Sequence, residues 1–168
     1  MEQRQINPWK WQDQYGFSQG VEVSNASRVL YCAGQASVDD QGKPVHAGDI
    51  RKQVEQAFRN LDTVLKAAGF SLANVVRLNY YTTDVDAFLS ASDIVGGRLA
   101  EAACQPPGTL LGGSKLAFPG LMIEIEATAA KGRRRCLVPE PRSASRRRYT
   151  FVRLGTYMAR VPSAESMR

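Results

Sequence analysis

The spacing of apolar residues alternates between two and three-to-four along this chain, and each change of period marks an element. Residues up to Gln14 keep neither period and read as irregular, with Trp9 and Trp11 expected to pack onto the body. Residues 17–22 and 28–38 (RVLYCAGQASV) are rich in strand formers, and Gly34 inside the second marks a bulge or a close approach. Turn clusters at 24–27 (SNAS) and 39–42 (DDQG) follow these strands. Ile50, Val54, Phe58, Leu61, Leu65 and Ala68 then recur at three and four, which predicts a helix over 49–68. Asp49 suits its N-cap and Gly69 its C-terminal stop. Residues 75–83 (VVRLNYYTT) return to strand character, with Val76, Leu78 and Tyr80 on one side and Arg77, Asn79 and Tyr81 on the other. Asp84 opens a second predicted helix over 85–103. The Gly96-Gly97 pair weakens it by up to about 1 kcal/mol per glycine relative to alanine. Strands are predicted at 109–116 and 121–129. In the last, Leu121, Ile123, Ile125 and Ala127 alternate strictly with Met122, Glu124, Glu126 and Thr128.

The order strand, strand, helix, strand, helix, strand, strand gives an α+β class. Two helices cover one face of one sheet. The other face then carries Arg77, Asn79, Tyr81, Met122, Glu124 and Glu126. That set is too polar for an internal core, yet it holds larger side chains than a wetted face requires. A neighbouring copy is the natural cover, so a closed homo-oligomer with polar clefts between subunits is expected.

Composition adds a boundary. With 168 residues, 43% hydrophobic and 23% charged, the chain suits one globular domain with an appendage. The formal charge of +6 is unevenly spread. Residues 131–168 hold 11 Lys and Arg against 2 Asp and Glu, whereas residues 1–130 hold 11 against 14. The expected organisation is therefore a domain over 1–130 and a basic extension over 131–168. The Pro-, Ser- and Arg-rich first part of the extension is expected to be disordered, and 149–161 to form a strand pair around Gly155. Arginine clusters there could bind RNA phosphates. A tail without aromatic interleaving at its start is more simply a solvated extension, so nucleic acid is not the expected partner. No apolar run approaches the roughly 20 residues that span a bilayer. The polar N-terminus lacks the apolar stretch of a secretory signal, and the odd cysteine set (Cys32, Cys104, Cys136) fits a reducing compartment, so a cytoplasmic location is expected.

Separated motifs in a consistent order carry a resemblance. Leu30-Tyr31-Cys32-Ala33-Gly34-Gln35, Asn60-Leu61 through Ala67-Ala68-Gly69, Tyr81-Thr82-Thr83-Asp84 and 119–127 (PGLMIEIEA) resemble the RidA/YjgF family of reactive-intermediate imine and enamine deaminases. The resemblance spans about residues 7–130. It implies a chorismate-mutase-like α+β fold, one mixed sheet with two helices on one face, and a homotrimer with sites between subunits. It implies hydrolysis of small imines with no metal and no organic cofactor. Glu124 matches the water-positioning glutamate, Gly34 the backbone beside the substrate, and Phe17 the aromatic wall, with Tyr81 a second wall. Two family positions are altered: Ala33 stands where a serine lines the site, and Leu111 where a cysteine does.

The largest departure is at Thr109, or at Gly108 if a one-residue gap falls elsewhere. The deaminases carry there an arginine that clamps the substrate carboxylate, and a neutral hydroxyl cannot replace a planar two-pronged cation. The chain thus resembles an arginine-lacking subgroup, whose substrates lack that carboxylate or whose members bind without catalysis. Arg77 and Lys115 are candidate replacement cations, although pairing with Glu124 or Glu126 is the ordinary use of Arg77. Two carboxylates on one strand face are expected to raise one pKa toward the general acid/base range. His46, the only histidine, has no nucleophile placed beside it by the pattern, and Cys32 fits a small core residue.

Overall fold

In the computed structural model, residues 1–132 and the backbone of 149–154 and 157–162 are described. Two compact units divide the chain between Arg133 and Arg134.

The first unit is built on a mixed sheet. Strands β3 (Arg28–Tyr31), β4 (Gln35–Ala36), β5 (Val75–Thr82), β6 (Leu110–Gly112) and β7 (Ile123–Lys131) run in the order β3-β7-β5-β6, with β4 also on β7. All the pairings with β7 are antiparallel and β5–β6 is parallel. Helix α1 (Ile50–Ala67) and the shorter α2 (Val85–Leu89) and α3 (Ser92–Glu101) contribute to a single core with the inner face of the sheet. Val54, Phe58, Leu61 and Leu65 of α1 meet Ile123, Ile125 and Ala127 of β7 there. Each such side chain contributes about 1.5–3 kcal/mol by leaving water. The Asp49 carboxylate accepts from the Lys52 amide at 3.1 Å, and Gly69 (φ +74°) turns the chain out of the helix.

Several expectations are corrected. The N-terminal segment is not irregular: β1 (Glu2–Ile6) pairs antiparallel with β2 (Gly20–Ser24), and Arg4 bridges Glu22 at 2.5 Å. All five β1 residues are exposed, so no apolar alternation was there to read. Trp9 and Trp11 stay 59% and 55% exposed rather than packing fully. Residues 28–38 are not one strand. Tyr31 pairs with Thr128 and Gln35 with Ile125, so one extra residue is absorbed between them. A second bulge lies between Val75 and Arg77. It sends Val75, not Val76, into the core beside Leu78. The 85–103 helix is broken after Leu89, where the Ser90 hydroxyl donates to the Ala87 carbonyl (2.7 Å). The 109–116 strand ends at Gly112, because its partner β5 ends at Thr82.

In the second unit, β8 (Tyr149–Leu154) and β9 (Tyr157–Pro162) form the expected antiparallel pair. The expected disorder of the intervening extension lies outside the described residues.

Candidate functional site

The helix-free face of the sheet is organised in rows. Ala36 on β4, Glu124 on β7, Tyr81 on β5 and Leu111 on β6 pair successively across four strands. The next outward row pairs Glu126 with Asn79. Three of the expected site residues, Glu124, Tyr81 and Leu111, are thus brought into one line.

The two glutamates have different surroundings. Glu126 accepts from the Tyr81 hydroxyl at 2.8 Å and from the Asn79 amide at 3.2 Å. These bonds, the Tyr81 one first, hold its carboxyl below the ordinary glutamate value, and the Tyr81 bond to Glu126 pushes the phenol up. The expected upward shift is therefore corrected at Glu126: hydrogen bonding to the charged form outweighs burial. Glu124 accepts no side-chain hydrogen bond among the described residues. It lies instead against Gly34, where a β-carbon would sit 2.8 Å from Glu124 Cγ and 2.5 Å from Cδ. No side chain fits at Gly34 while the carboxylate keeps this place. Ala33 beside it is exposed, and its carbonyl accepts from the Gln35 side chain at 3.1 Å.

The start of β7 is held from below. The buried Gln53 side chain accepts from the Met122 amide (2.8 Å) and donates to the carbonyls of Gly120 (2.8 Å) and His46 (3.1 Å). The Thr82 hydroxyl donates to the Met122 carbonyl at 2.7 Å. Both backbone groups of Met122, two residues before Glu124, are thereby fixed. Sequence reading passed over Gln53, although an amide on the apolar stripe of α1 was a visible signal of a buried polar anchor.

The other expected site residues are not on that row. Phe17 packs edge-on against Trp11 (5.8 Å between centroids) and stacks with Tyr15 (6.4 Å). It lines a cavity of 690 Å³ on the helix-covered side, together with Tyr80, Phe88, Leu99 and Cys104. Burial pushes the Cys104 thiol up to about 11. Thr109 belongs to both sides of the sheet edge: it lines the cavity, and its amide donates to the Asn79 side-chain oxygen at 3.2 Å. Gly108 lets this edge close on β5, since a β-carbon there would run into the Leu78 carbonyl group. Within one chain, then, Phe17 opens onto the cavity while Glu124, Tyr81 and Leu111 face outward, with Thr109 at the rim between them.

Of the candidate cations, Arg77 makes no ion pair among the described residues. Its Nε donates to Asn79 at 3.3 Å, which corrects the expected pairing with a carboxylate. Lys115 is exposed in the loop after β6. Cys32 is a buried free thiol, as expected. Among the described residues no cluster of His, Cys, Asp and Glu could hold a metal ion, and no helix is long and apolar enough to cross a membrane.

Comparisons with known proteins agree with this architecture. The family model described as Endoribonuclease L-PSP matches residues 12–131. The rat 2-iminobutanoate/2-iminopropanoate deaminase is 32% identical over 120 residues, which cover 69% of this chain and 80% of that protein. A RutC family protein of Pyrococcus horikoshii is 30% identical over 115 residues, covering 68% of this chain and 86% of that protein. Among solved structures, a protein of unknown function of the conserved Rid protein family from Yersinia pestis matches with a TM-score of 0.67 at 34% identity. The match covers 78% of this chain and 100% of that one.

Proposed function

The chain belongs to the RidA/YjgF family, the Endoribonuclease L-PSP family of the matching model, and from that premise we propose that it hydrolyses small reactive imines at a cleft completed by a second copy of the chain. The reaction is R₂C=NH + H₂O → R₂C=O + NH₃, with an enamine entering as its imine tautomer. Glu124 holds the water and takes its proton as the oxygen bonds to the imine carbon. It returns that proton to the nitrogen, giving the carbinolamine, and then carries the hydroxyl proton to the nitrogen as the C–N bond breaks, so that ammonia leaves and the carbonyl forms. The Gly34 backbone lies beside the substrate, Thr109 contacts it, and Tyr81 and Phe17 wall it.

One observation carries the assignment of roles. Of the two outward glutamates, Glu126 is committed to Tyr81 and Asn79, whereas Glu124 accepts from no side chain among the described residues. A carboxylate with its acceptor positions open can bind water, and one held by two donors is an anchor. The division of Phe17 from Glu124 supports the second copy. A homotrimer would set the cavity of one subunit against the outward row of the next.

The test is ammonia release from imines generated in situ by an amino acid oxidase. The full chain should accelerate it, and Glu124→Gln should lower the rate by about 10²–10⁴-fold. Equal rates for the two proteins would remove Glu124 from the mechanism. A second reading, a trimer that binds a metabolite without turnover, is favoured by the neutral Thr109 at the clamp position. Ligand-dependent thermal stabilisation with no ammonia release would select it.

A further inference from the structure

The cavity behind Phe17 has a property that the family resemblance does not supply. Among the described residues lining its 690 Å³, none is Lys, Arg, His, Asp or Glu. Its volume lies within the roughly 300–1,000 Å³ of small-molecule sites. The walls are aromatic and aliphatic: Tyr15, Phe17, Tyr80, Phe88 and Leu99. Its polar groups are neutral ones, from Gln5, Ser92, Gln105 and Thr109. Such a lining can hydrogen-bond a C=N or C=O group and bury a ring. The chain's own lining has nothing to pair with a carboxylate, and an unpaired ion loses its hydration without compensation. Within the same chain the two candidate cations do not line it: Arg77 is bonded to its own Asn79 and projects from the opposite face, and Lys115 is beyond β6.

We propose that this cavity takes the uncharged organic part of the substrate, so that the chain acts on neutral aryl- or alkyl-bearing imines rather than on imino acids. The binding half of this statement stands on the cavity alone; the hydrolytic half rests on the function proposed above.

A matched pair of ketones tests the binding half. Phenylacetone and phenylpyruvate share a ring and a carbonyl and differ by a carboxylate. Each is titrated calorimetrically into the full chain, Gly96→Trp and Ala100→Phe. Gly96 and Ala100 line the cavity on α3, and a β-carbon at Gly96 meets nothing within 4 Å. Replacing a helical glycine also favours the helix, so the first plug does not threaten folding. Phenylacetone should bind the unaltered chain at least roughly tenfold more tightly, a difference of about 1.4 kcal/mol. Either plug should abolish that binding. Thr109→Arg should reverse the preference by supplying the missing cation. Phenylpyruvate binding as tightly as phenylacetone, phenylacetone binding undiminished in both plugged variants, or no binding of either ketone would overturn the proposal. Turnover separates the two claims. Phenylacetone bound in the cavity, with its imine not hydrolysed, upholds the neutral-ligand assignment and removes the hydrolase. Hydrolysis of imino acids together with tighter phenylpyruvate binding does the reverse.

Discussion

Gly34 and Glu124 occupy one another's space: a β-carbon on the glycine would lie 2.8 Å from the glutamate Cγ. The backbone of Gly34 is not in the left-handed region, so only the side chain is excluded. Gly34→Ala should therefore displace the Glu124 carboxylate while leaving the fold intact. Loss of unfolded-chain freedom would even favour the variant by about 0.4–1 kcal/mol. The expected outcome is a fall in kcat/KM of about 100-fold with an unchanged or slightly raised Tm, because a misplacement of this size is costly in chemistry and cheap in packing. Steady-state kinetics beside a thermal melt checks it.

The Tyr81–Glu126 bond makes a pH prediction. The folded-state pKa of Glu126 is depressed, so its contribution to stability is present above the ordinary glutamate value and is lost as pH falls through the folded value. Tyr81→Phe removes the largest cause, and the Glu126 carboxyl should titrate closer to its ordinary value. Carbon-detected NMR titration of that carboxyl reads the shift directly. An unmoved midpoint would mean that Asn79 alone holds it.

Gln53 ties α1 to the start of β7 through bonds to Met122, Gly120 and His46. Gln53→Leu keeps the volume and orphans these buried groups, at a cost of about 3 kcal/mol. Urea denaturation should show that loss as a lower midpoint with unchanged slope.

Gly108 and Gly96 should respond oppositely to alanine. A methyl at Gly108 meets the Leu78 carbonyl group, 2.9 Å from its carbon, and cannot move away without breaking the Tyr80–Thr109 bond of 2.8 Å. Gly108→Ala should cost about 2–3 kcal/mol. Gly96→Ala should stabilise by up to about 1 kcal/mol. Paired melts of the two variants check both signs.

The parts of the fold visible in the sequence were those whose burial repeats. The Leu121–Ala127 alternation and the α1 stripe each leave water on one side only, so the period announces the element. β1 was invisible because it is exposed throughout and held by backbone pairing and the Arg4–Glu22 bridge. The inward turn of Val75 was invisible for a different reason: a bulge belongs to the register between β5 and β7, and no residue on β5 alone encodes it. For the site, alternation placed Glu124, Glu126, Tyr81 and Asn79 on one face correctly. It could not foretell which glutamate Tyr81 would hold, since the phenol reaches diagonally to Glu126 while its own backbone pairs with Glu124. Nor could spacing reveal that Phe17 opens onto the covered side of the sheet, because that depends on how β1 and the connection between β1 and β2 meet α3 and β5.

The division of Phe17 from Glu124 within one chain can be tested most directly by complementation. Glu124→Gln lacks the carboxylate proposed to hold the water and Gly96→Trp fills the cavity, so each should be inactive alone. Co-expressed in equal amounts and assembled at random, they should recover roughly a quarter of wild-type imine hydrolysis, because one pairing in four joins an intact cavity to an intact Glu124 across the interface. Activity no greater than that of the separate variants would contradict a site shared between subunits.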